Sequence, residues 1–93
     1  MYEMASSKEV FAKFEVWKES RTVLKLTEMT KGEMPEILRG KISSLDEERH
    51  LIGFAVTATR SFKAIDVGDA SFQVGKCVVE AERGEDCLIK AFC

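Results

Sequence analysis

The spacing of apolar residues changes at Thr22, and that change divides the chain into a helical segment and a strand-forming one. Before it, Val10, Phe11, Phe14 and Trp17 recur at i, i+1, i+4 and i+7, which places them on one face of a helix. Ser6-Ser7-Lys8-Glu9 reads as a capping box, with Ser6 as the cap and Glu9 reaching back. Glu9 and Lys13 form an i,i+4 pair away from the aromatic stripe. The spacing predicts a helix over about 7–18. A helix of about 12 residues is marginal alone in water, so the stripe must pack against something.

From Thr22 onward the period is two. Residues 22–29 alternate and are rich in strand formers. Lys31-Gly32-Glu33-Met34-Pro35 is a loop, because proline cannot donate to a ladder. Further strands are predicted over 36–45, 50–58, 62–67 and 70–74. Gly40 and Gly53 lie inside two of them, where an interior glycine marks a sharp bend or a close backbone approach. Asp46-Glu47-Glu48-Arg49 reads as a type I turn in which Asp46 accepts from its own backbone.

The final unit reads as a hairpin of 77–82 and 86–93 around Arg83-Gly84-Glu85. That loop pairs Cys77 with Ala91, Val79 with Ile89, and Ala81 with Cys87. It puts small and apolar side chains on one face and Glu80, Glu82, Asp86 and Lys90 on the other. Cys77 and Cys87 are read as small core residues, and Cys93 as exposed.

Short strands at this spacing, two of them bent, predict a mainly β fold. The expected form is a strongly bent antiparallel barrel of five to six strands, closed or nearly so, preceded by one N-terminal helix. The 93 residues make a single domain, with the helix at about 7–18 and the barrel at about 22–93. The aromatic stripe of the helix is expected to cap the open end of the barrel.

Charge and cysteine usage narrow the function classes. The net charge is −2, and both halves carry nearly equal numbers of acidic and basic residues. A nucleic-acid binder gains much of its affinity by neutralising phosphates, so the missing basic excess lowers that reading. The three cysteines lack CxxC spacing and stand with one histidine, His50, so no zinc site, and no other metal or cofactor, is expected. The opening residues have neither the basic region nor the apolar run of a secretory signal. With an odd cysteine count, this predicts reduced thiols in a cytoplasmic protein. No apolar stretch approaches the length of a membrane span. Asp46, Glu47 and Glu48 read as a solvated turn, and Arg49, Arg60 and Lys63 as solvated strand-end residues. Cys87 with His50 is the only nucleophile–base combination, and nothing in the pattern brings the two together, so the chain is not expected to be an enzyme.

Gly40-Lys41-Ile42-Ser43-Ser44-Leu45-Asp46-Glu47-Glu48-Arg49-His50-Leu51 is similar to the first motif of the Sm and Sm-like proteins. That motif runs glycine, apolar residue, aspartate, and asparagine four residues after the aspartate; here His50 takes the asparagine position. Of the second motif, Ile89-Lys90-Ala91 supplies the apolar strand. The resemblance implies an SH3-like or Sm-like barrel, assembly into rings through edge strands, and single-stranded RNA bound in the pore by Asp46, His50 and Lys90. Two functions therefore stand side by side. One is a non-catalytic, self-associating interaction module, which admits a further protein partner. The other is an RNA-binding ring.

Overall fold

The computed structural model describes residues 3–93. One helix, α1 (Ser7–Ser20), follows a three-residue strand, β1 (Glu3–Ala5), and precedes seven more strands. These are β2 (Leu24–Thr30), β3 (Glu36–Asp46), β4 (Leu51–Val56), β5 (Ser61–Asp66), β6 (Ser71–Gly75), β7 (Val78–Arg83) and β8 (Cys87–Phe92). All eight strands belong to one antiparallel sheet in the order β1-β6-β7-β8-β2-β3-β4-β5. The sheet is not closed, since β1 and β5 are its two edges. It therefore exceeds the five to six strands expected from sequence and lacks their closing ladder.

Local chemistry sets the limits of α1. Ser6, in extended conformation, accepts from the Glu9 N–H at 3.2 Å. At the other end Arg21 takes the left-handed conformation, with φ 55°. Its N–H donates to the Lys18 carbonyl, and the Thr22 N–H donates to the Trp17 carbonyl at 3.1 Å. This is a Schellman stop without the usual glycine. The absence of that glycine is why the sequence placed the end two residues early.

The helix lays Val10, Phe11, Phe14 and Trp17 against the sheet, all less than a tenth exposed. Its contacts are mainly with β3 and to a lesser degree with β6. The stripe joins one core with Leu24, Leu26, Ile42, Ile52, Phe54, Ile65, Val67, Phe72, Val79, Ala81, Ile89 and Ala91. At about 25 cal/mol per Å2 of apolar surface removed from water, that burial is the main favourable term.

The sheet bends because β3 changes partners along its length. Its first half pairs with β2 up to Leu24–Gly40, and its second half pairs with β4 from Gly40–Val56 onward. At the changeover the backbones come so close that a Cβ on Gly40 would strike the Ala55 carbonyl oxygen. A bulge between Ile42 and Ser44 adds twist, and a Cβ on Gly53 would meet the Ser44 hydroxyl there. The interior is filled, with a residual apolar cavity of about 20 Å3 among side chains such as Phe14, Phe54 and Ile89. That is room for about one water and too little for an organic ligand.

The β7–β8 register differs from the sequence expectation by two residues. Val79 faces Ala91, Ala81 faces Ile89, and Arg83 faces Cys87 around a Gly84–Asp86 turn. A two-residue shift preserves the faces, so the apolar side remains buried. Cys77 does not join the core: it lies exposed in the β6–β7 turn. Cys87 is half-buried at the edge of the core, and Cys93 is exposed.

Candidate interaction site at the β5 edge

Strand β5 has only one neighbour, and its sequence determines what the other side offers. In an antiparallel ladder, alternate residues direct their N–H and C=O groups to the same neighbour. The Val67 N–H bonds the His50 carbonyl at 2.9 Å, extending the β4–β5 pairing. Counting back in twos, Ile65, Lys63 and Ser61 bond to β4, whereas Phe62, Ala64 and Asp66 turn their backbone groups outward. The Phe62 ring is 76% exposed, and Ser61, Ala64 and Asp66 are also exposed. The edge carries no proline and no bulge, two features that commonly block strand addition.

One end of this edge is covered. Arg83, at the end of β7, donates from Nη1 to the Asp66 carbonyl at 3.2 Å and from Nε to the Gly68 carbonyl at 3.1 Å. Its Nη2 stands 4.0 Å from the Asp66 carboxylate. A side chain thus spans the gap that no ladder closes, leaving Phe62 and Ala64 as the open stretch.

The opposite face of β5 is anchored from beneath. Cross-strand partners share a face, so Lys63, opposite Phe54, points toward the core side. There its ammonium lies 2.9 Å from Glu28 of β2 and 3.8 Å from Glu36 of β3. The hydrogen bond to Glu28, with the charge of both carboxylates, raises the Lys63 pKa above its ordinary value despite some desolvation. From sequence, Lys63 is expected to be a solvated strand-end cation. Its ammonium is instead paired with two carboxylates, with the side chain 33% exposed.

The residues implied by the Sm-like resemblance occupy separate places. Asp46 ends β3 and accepts from the Arg49 N–H at 3.1 Å, as the turn reading predicted. His50 is half-buried in the turn just before β4, in the left-handed conformation with φ 56°. Its ring meets Phe11 edge-on at 6.5 Å between centroids. Lys90, in the middle of β8, lies 3.8 Å from Glu80 and above the Phe92 ring. No hydrogen bond, ion pair or pocket joins Lys90 to Asp46 or His50 among the described residues. The sequence pattern alone does not single out Phe62 and Ala64. The signal was present in part, as an aromatic residue in a strand with no assigned outer partner.

No group of three or more metal-ligating side chains occurs among the described residues. None of the helices described is long and apolar enough to cross a membrane. Comparison with protein-family models, curated proteins and solved structures finds no match.

Proposed function

We propose that the protein is a non-catalytic assembly module that self-associates by strand addition at β5. The observation that supports it is the outward-facing backbone of Phe62 and Ala64 beside a 76% exposed phenyl ring at the edge of an eight-stranded sheet. A second copy is the occupant that best fits this edge. In an antiparallel pairing that sets Phe62 against Ala64 of the other copy, the four outward N–H and C=O groups on each side bond reciprocally. The same two-fold register lays each phenyl ring over the other copy's alanine and directs Arg60 toward the other Asp66. Opposite charges and apolar pairs across strands each contribute roughly 0.2–1 kcal/mol.

The test is solution mass by light scattering on reduced protein, for the wild type and Ala64→Pro. Because the Ala64 N–H faces outward, proline there removes no ladder bond within the subunit. The expected result is a wild-type dimer or larger species and a folded, monomeric variant. A wild type that stays monomeric at high concentration overturns the proposal.

A second reading keeps the RNA-binding ring. It is favoured by the arrangement of a helix followed by a strongly bent sheet in which the last strand, β8, returns beside β2. A ring binding single strands through Asp46, His50 and Lys90 should hold a labelled RNA oligomer with an affinity that falls steeply with salt. Absence of binding at low salt removes this reading.

A further inference from the structure

The two exposed cysteines meet at one place. Continuing the β7–β8 register one step beyond Val78–Phe92 sets Cys77 directly opposite Cys93. The Cys93 N–H donates to the Cys77 carbonyl at 3.1 Å, and the Cys93 thiol lies 3.6 Å from the same oxygen. A hydrogen-bonded antiparallel pair has its Cα atoms about 5.5 Å apart. That falls within the roughly 4.4–6.8 Å that a disulfide spans. Both side chains are open to solvent.

The two thiols interact with each other. The Cys77 thiol raises the Cys93 pKa, first by a hydrogen bond between the two side chains, while the Lys13 ammonium draws it the other way. Lys13 is held at this spot by its 2.9 Å bond to the Lys76 carbonyl. The Lys13 charge only partly offsets the upward shift, so the Cys93 thiolate forms more readily as pH rises, and exchange quickens with it. Cys87 sits at the opposite end of the same hairpin, facing Arg83, and so does not compete for either partner.

We propose that Cys77 and Cys93 form a reversible redox-modification site that takes a low-molecular-weight disulfide of the glutathione class as its oxidant. One protein thiolate attacks a sulfur of the oxidant and expels the first small thiolate, leaving a mixed disulfide. The second cysteine, deprotonated, attacks the protein-bound sulfur, forms the Cys77–Cys93 bond and expels the second small thiolate. The protein loses two electrons and two protons, and the oxidant becomes two thiols. The bond ties the β6–β7 turn to the end of β8, next to Lys13, whose ammonium lies 5.2 Å from the Trp17 ring centre. Trp17 is therefore placed to report the change.

The experiment equilibrates the full chain in glutathione redox buffers, quenches with a thiol-alkylating reagent under denaturing conditions, and reads intact mass and linked peptides. The reduced protein should take up three alkyl groups, one for each free cysteine. The oxidised protein should form no disulfide-linked dimer under denaturing, non-reducing conditions, take up one alkyl group, at Cys87, and yield a Cys77–Cys93 linked peptide. Cys87→Ser should oxidise as the wild type does. Cys77→Ser and Cys93→Ser should each stop at the mixed disulfide. A wild type that keeps all three thiols in oxidised buffer overturns the proposal, as does a persistent mixed disulfide or a link that includes Cys87.

Discussion

Lys63 Nζ stands 2.9 Å from Glu28 Oε2, so edge strand β5 is tied to β2 across the open end of the sheet, although β3 and β4 lie between them in the ladder. The bend at Gly40 makes this possible by folding the two halves of the sheet toward each other. With Glu36 also 3.8 Å from the ammonium, one cation offsets two carboxylates.

Replacing Lys63 with Met should destabilise the fold by about 1 kcal/mol, because Glu28 and Glu36 then face each other without a counter-charge. The Lys63 side chain is 33% exposed, so water screens part of the loss. A urea-unfolding cycle over Lys63→Met, Glu28→Gln and the double variant isolates the pair. A coupling of about 0.2–1 kcal/mol is expected for such an exposed pair, and a value of zero would show the contact to be energetically idle.

The same pair sets a pH dependence. Lys63 has a folded-state pKa above its ordinary 10.5, so the folded protein binds its proton more tightly than the unfolded chain. Its contribution is full below about pH 10.5 and disappears as pH rises through the folded value. Urea unfolding followed by Trp fluorescence should show wild type losing more of its neutral-pH stability above pH 10.5 than Glu28→Gln does, so that the two curves converge. Parallel curves would contradict the assignment.

Gly40→Ala should cost about 1–3 kcal/mol, the usual range for forcing an extra methyl into a packed site. The methyl collides with a main-chain oxygen, that of Ala55, which cannot rotate away as a side chain can. Gly32→Ala has open space around it but a φ of 85°, so its cost should be limited to backbone strain. Thermal melts of the two variants separate collision from conformation.

His50→Ala should lower stability by about 1 kcal/mol, since alanine loses the Phe11 contact and fits the left-handed backbone poorly. His50→Gly should recover part of that loss by relieving the backbone alone. If His50 instead serves mainly as a base-stacking residue, alanine should leave the melting temperature unchanged and remove RNA affinity.

Much of this architecture was legible in order and type. The stripe of Val10, Phe11, Phe14 and Trp17 announced a packed helix, because a 3.6-residue period has few other uses. The strand segments followed from alternation, and Asp46 from its turn chemistry. The β7–β8 register was missed by two residues because both registers bury the same apolar face, so the hydrophobic pattern does not distinguish them. Cys77 lies outside the core because it falls in the β6–β7 turn, beyond the last ladder pair Val78–Phe92. The short strand β1 has no alternation to detect in three residues, and it exists through its pairing with β6. Phe62 and Ala64 became candidates only once β5 was found at an edge.

The sequence by itself determined which segments are helix and strand, which faces are apolar, and where the sheet has to bend. These properties depend on side-chain period and on single residues such as Gly40. The tertiary structure alone decided which strands are neighbours: that β8 lies beside β2, that β5 has a free edge, that Lys63 turns inward to Glu28, and that Cys77 faces Cys93. The reason is physical. The backbone groups that join one strand to another are the same at nearly every residue, so partner choice depends on the curvature and packing of the whole chain.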